Sequence, residues 1–126
     1  MTLAEFDVIY PGHIVSSDAI ITVTEDAWRA SIALRGELDI ADAPQLLAVL
    51  EAHLEAGRRV LRLDTTEVTF LDSSVLGAIV AAHRRCVEMH GSLILTGVCG
   101  VVDRIVKLTG LDQVLLIDTA GDNATL

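Results

Sequence analysis

Apolar and polar positions alternate along residues 28–35: Trp28, Ala30, Ile32 and Leu34 fall on one side, and Arg29, Ser31, Ala33 and Arg35 on the other. A period of two predicts a half-buried strand. The β-branched run AIITVT at 19–24 predicts a partner strand, with the acidic break Glu25–Asp26 as the turn of a hairpin. Leu47, Leu50 and Leu54 then recur at helical spacing. Asp42 with Gln45 three residues on predicts a capping box, Pro44 suits a first turn, and Gly57 a stop. The strand RRVLRLD (58–64) and the short extended stretch TTEVTFLD follow. A second helix is expected from about Ser74 to His90, ending at Gly91. SLILTGV (92–98) predicts a strand, VVDRIVKLT (101–109) a short helix closed by Gly110, and QVLLI (113–117) a last strand.

The resulting order is β-β-α-β-α-β-α-β. Strands alternating with helices imply right-handed crossovers and an α/β fold. The expected architecture is a single-layer mixed sheet, largely parallel with an N-terminal antiparallel hairpin, and helices packed against it. Residues 19–118 form the domain, with 1–18 an N-terminal extension containing a Pro11–Gly12 turn, and 119–126 a C-terminal tail.

Composition narrows the function. The chain has 126 residues, 52% of them apolar but only 3% aromatic, so its core must be aliphatic. A formal net charge of −9 argues against nucleic acid and against an anionic membrane surface. No apolar run is long enough to span a bilayer, and the opening segment lacks the basic and apolar regions of a secretory signal. Cys86 and Cys99 are the only cysteines and make no disulfide framework. A soluble cytoplasmic protein is the simplest reading.

Candidate chemistry lies in three places. Asp72, Ser73 and Ser74 sit between a strand and a helix, where α/β folds place functional loops. There the aspartate or a serine can cap the helix, and a hydroxyl can carry a phosphate, which a helix N-terminus favours. A nucleophilic serine would need a base and usually a G-x-S-x-G elbow, which L-D-S-S-V does not supply. His83, Cys86 and His90 share one helical face and are ligand types. Apolar Ile79 and Ala82 on that side favour Cys86 as a core residue, a fourth ligand is not evident although Cys99 could reach, and no metal site is expected. Neither nucleotide-loop signature is present, and nothing calls for a cofactor. GELD (36–39) reads alone as a turn with solvated acids after a strand that ends at Gly36.

Taken together, G-E-L-D after a strand, L-D-S-S-x-L-G opening a helix, and the later GVVDRIVKLTGLDQVLLI resemble the STAS domain, specifically the bacterial anti-sigma-factor antagonists. The resemblance runs from about Ile20 to Ile117. It implies a regulatory binding protein rather than an enzyme. Its partner would be an anti-sigma-factor serine kinase of the histidine-kinase-like ATPase fold, which phosphorylates the serine after the motif aspartate. By position that serine is Ser73, with Ser74 secondary, and the unmodified form binds the kinase. Asp39, Asp72, Ser73, Ser74 and Val75 are the implied contact residues. The family usually has glycine where Val75 stands, so added bulk beside the hydroxyl is expected there. Other STAS roles remain open: a stressosome-type scaffold, or the partner subunit of a lipid-transport ATPase. So does a homodimer.

Overall fold

The computed structural model describes residues 19–25 and 27–118, which form one five-stranded sheet and three α-helices. The strands are β1 (Ala19–Glu25), β2 (Arg29–Leu38), β3 (Val60–Leu71), β4 (Ser92–Thr96) and β5 (Leu116–Ile117). The helices are α1 (Ala43–Glu55), α2 (Ser73–Glu88) and α3 (Gly100–Thr109), and a 3₁₀ turn spans Leu111–Gln113. Sheet order follows chain order, with β1 antiparallel to β2 and every later pair parallel. Right-handed crossovers between strands laid down in order bring the connecting helices to one face. The expected α/β architecture is the one observed. The Pro11–Gly12 turn, the remainder of residues 1–18, the tail at 119–126 and Asp26 of the hairpin lie outside the described residues.

Register shows why the core is aliphatic. Ala30, Leu61 and Leu93 stand in one row across β2, β3 and β4, and Ile32, Leu63 and Leu95 in the next. All six are buried, and Leu46, Leu50 and Leu54 of α1 with Ile79 and Ala82 of α2 belong to the same core. The alternate rows face the other side, as with Ser31, which is exposed, and Arg62 and Ile94, which are only partly covered. Trp28 departs from the expected inward pattern. It precedes β2, is 53% exposed, and its ring carries the Arg29 guanidinium at 4.5 Å, a cation–π contact.

Two sequence boundaries move for the same reason. β2 continues through Gly36, which takes φ 88°, to Leu38, and β3 continues past Asp64 to Leu71. Along β3 the buried positions are Leu61, Leu63 and Thr65, then Val68 and Leu71, so the spacing changes from two to three. Each three-residue step is a bulge: Ala33 and Arg35 face Asp64 and Glu67, and Gly36 and Glu37 face Val68 and Phe70. The buried Thr65 hydroxyl is satisfied by donating to the Thr96 carbonyl at 3.1 Å. At the last strand, the 3₁₀ turn takes up Gln113 and the turn that follows takes up Val114 and Leu115, leaving β5 only Leu116–Ile117.

Helix ends also differ in detail. Asp42 precedes α1 but makes no side-chain cap, so the expected capping box with Gln45 does not form. α2 ends at Glu88, and His90, at φ 62°, supplies the left-handed residue expected of Gly91. Gly91 is needed for a different reason: a β-carbon there would stand 2.6 Å from the Arg59 carbonyl oxygen, which accepts the Ser92 N–H.

Within α1, His53 is fully buried, and loss of solvation lowers its pKa to about 4. Folding therefore favours the neutral imidazole, whereas the unfolded chain takes up a proton near pH 6.5. The associated stability is complete above that pH and is lost as pH falls toward 4. Urea denaturation should show a loss of about 2 kcal/mol between pH 7 and pH 5 from this group. His53→Leu should reduce the pH slope by that amount; an unchanged slope would refute the assignment.

Candidate functional site

The far ends of β2 and β3 create the site. Leu38 pairs with Leu71, and the Asp72 N–H donates to the Leu38 carbonyl at 3.0 Å. The next residues on each chain, Asp39 and Asp72, therefore leave the sheet side by side at its C-terminal edge. Both leucines are buried and anchor their strands from below. The structure thus brings together the two separate segments, 36–39 and 72–74, that the sequence singled out.

Each segment is then held by its own aspartates. The Asp39 N–H donates to Asp42 Oδ2 at 2.7 Å, the Asp42 N–H to the Asp39 carbonyl at 2.9 Å, and the Ala41 N–H to Asp39 Oδ1 at 3.0 Å. These bonds fix a tight turn, leaving Asp39 and Ile40 exposed. Asp42 is buried, and that burial raises its pKa, with the nearby Asp39 charge contributing in the same direction.

On the other segment Asp72 is the N-cap of α2. Its Oδ1 accepts the Ser74 N–H at 2.8 Å and the Ser74 hydroxyl at 2.7 Å. Those bonds, the backbone one foremost, hold its pKa below the usual carboxylate value. Ser73 is the first helical residue and points to solvent. Among the described residues its hydroxyl has no hydrogen-bond partner, whereas that of Ser74 is engaged. The cap that local sequence left open between aspartate and serine falls to the aspartate.

Val75 lies elsewhere than expected. Its backbone is helical rather than left-handed, and its side chain is fully buried, so the added bulk points into the core and not beside the hydroxyl. Two residues not singled out by sequence share the edge. Ile40 is 71% exposed, and Phe70, opposite Glu37 in the register, is 45% exposed. An apolar residue next to an acid at a strand end was the available signal, but a buried strand end has the same appearance.

The other candidates separate. Cys86 is buried in the core, which pushes its thiol up to about 11, and His90 lies beyond the helix in the left-handed turn. No three His, Cys, Asp or Glu side chains among the described residues are grouped to hold a metal ion. Cys99 is exposed at the start of α3. A cleft of about 330 Å³ lined by Val98, Asp103, Val106, Lys107, Asp112 and Ile117 lies beside β5 and includes none of the Ser73 edge. No helix among the described residues is long and apolar enough to cross a membrane.

Comparison with known proteins agrees with this fold. The family model described as "Mlab, STAS domain" matches residues 21–118, and the chain belongs to the STAS-domain family. It is 33% identical over 92 residues to the anti-sigma-B factor antagonist of Listeria monocytogenes, covering 73% of this chain and 81% of that protein. The crystal structure of an anti-sigma factor antagonist from Mycobacterium paratuberculosis superposes with a TM-score of 0.71 at 25% identity, over 85% of this chain and 92% of that one. The unphosphorylated form of the antagonist SpoIIAA shares the fold, with a TM-score of 0.70 at 21% identity, over 82% of this chain and 92% of its own.

Two measurements check these placements. Val75→Gly removes a buried side chain and weakens the first turn of α2, and should lower unfolding free energy by about 3 kcal/mol; a change below about 1 kcal/mol would place Val75 outside the core. In native protein, iodoacetamide should label Cys99 readily and Cys86 only after unfolding. Equal labelling would contradict the burial of Cys86.

Proposed function

We propose that the chain is an anti-sigma-factor antagonist that binds a serine-kinase anti-sigma factor through the Asp39–Ser73 edge and is released by phosphorylation of Ser73. It acts as a regulatory binding protein, in keeping with the names of its relatives, and not as an enzyme. Those names also favour this role over a stressosome-type scaffold or a transport-ATPase subunit. The observation that carries the reading is the contrast between the two hydroxyls: Ser73 is exposed and unengaged, Ser74 is tied to Asp72.

Binding would use an edge of mixed character. Asp39 and Asp72 supply charge for a basic partner, and Ile40 and Phe70 supply apolar area. Val75 leaves the contact set because its side chain is buried. In the kinase step the Ser73 Oγ attacks the γ-phosphorus of ATP. A new O–P bond forms, the bond to the β-phosphate bridge breaks, ADP departs, and the hydroxyl proton passes to a base on the kinase. The product carries about −1.5 to −2 additional charge at neutral pH. Across an interface already matched to carboxylates, that charge is desolvated without a partner and weakens binding.

Ser73→Ala should keep partner affinity and take up no phosphate. Ser73→Glu should bind at least tenfold more weakly by calorimetry, about 1.4 kcal/mol, with an unchanged circular dichroism spectrum. Ser74→Ala should still be labelled. Phosphate found on Ser74, or wild-type affinity in Ser73→Glu, would move the switch elsewhere.

A further inference from the structure

A helix begins with four amides that have no acceptor one turn back, here those of Asp72, Ser73, Ser74 and Val75. Three of them already have acceptors. The Asp72 N–H goes to the Leu38 carbonyl at 3.0 Å, the Ser74 N–H to Asp72 Oδ1 at 2.8 Å, and the Val75 N–H to the Asp72 carbonyl at 3.0 Å. The same Oδ1 takes the Ser74 hydroxyl. An added anion at a helix N-terminus is normally neutralised by these amides and by the helix dipole. In this protein a carboxylate holds that place first.

We infer that Asp72 decides the state of a phosphate on Ser73: its carboxylate occupies the Ser74 amide, leaving only the Ser73 amide of the first turn without an acceptor among the described residues, and so leaves most of the added charge unneutralised at the surface. The inference rests on Ser73 as the modified residue and adds what makes the modification effective there. Among the described residues, the charged ones that sequence and register place at this edge are acidic: Asp72 beside Ser73, and Asp39 and Glu37 at the end of β2. The nearest cation along β2, Arg35, lies further back and pairs with Glu67 at 3.5 Å. Asp72 is thus a positioning residue with a second effect. Its grip on the Ser74 hydroxyl ties up the alternative acceptor, which favours modification at position 73.

The test uses phosphoserine inserted at position 73 during translation, so that no kinase is needed. Phosphorus NMR titration should give a second phosphate pKa at or above the value of about 6 expected for an unanchored phosphoserine. The Ser74 amide resonance should stay in place, and the modification should lower Tm. In Asp72→Ala the Ser74 amide is released. There the phosphate pKa should fall by at least half a pH unit, and the modification should raise Tm instead. Asp72→Asn keeps an acceptor without the charge; its phosphate should stay off the amides with a pKa at the unanchored value, and this variant serves if Asp72→Ala does not fold. A wild-type phosphate pKa half a unit or more below the unanchored value, or a displaced Ser74 amide, would show the phosphate taking the cap and overturn the inference. Failure of a kinase to label Ser73 would count against the proposed function alone, because this phosphate is installed without one.

Discussion

The pairing of β2 with β3 at their far ends, where Leu38 stands beside Leu71, is the contact on which the candidate site depends. Both leucines are buried, so withdrawing either strand end would expose apolar surface and break ladder hydrogen bonds at once. Past that pair the two backbones diverge, one into the Asp39–Asp42 turn and the other into α2. The Asp72 N–H bonded to the Leu38 carbonyl keeps them together for one more step. Two acidic segments more than thirty positions apart in the chain become one surface because two leucines cannot be left in water. The hydrophobic core thereby sets the geometry of the proposed binding edge.

Rigidity at this edge comes from local polar bonds and not from further burial. Asp42 holds the Asp39 backbone, and Asp72 holds Ser74. Asp42 occupies a buried position that is costly for a carboxylate and offsets part of that cost by accepting an amide proton, whereas Asp72 stands at a helix N-terminus, which favours its charge. The result is a surface whose residues are presented in fixed relation before any partner arrives, which limits the ordering cost of association.

Much of this was legible in the sequence, and for identifiable reasons. Alternation at 29–35 and 58–64 and the glycines at 57 and 110 reflect local rules of burial and backbone, so the elements and their order could be read directly. Segments 36–39 and 72–74 were marked out as motifs. The extension of β3 was hidden because its inward positions change spacing at Thr65, and no local rule announces a bulge. The cap was ambiguous because aspartate and serine serve equally well at that position, and only three-dimensional geometry assigns it. The exposure of Trp28, Ile40 and Phe70 is not legible in the sequence because exposure at a strand end depends on what the rest of the chain leaves uncovered.

The paired bulges in β3 have a consequence for how this protein can vary. Between the pairs Ala33–Asp64 and Leu38–Leu71, β2 advances five residues while β3 advances seven. Each bulge alone would send the remainder of β3 to the wrong face, and the two together restore it. The exposed residues Glu67, Thr69 and Phe70 can therefore be exchanged for other side chains with little effect on the strand. Losing or gaining one residue there would turn Leu71 outward and carry Asp72 away from Asp39. The segment is tolerant in spelling and strict in length, so among related chains insertions and deletions should collect in other connections while this one keeps its count.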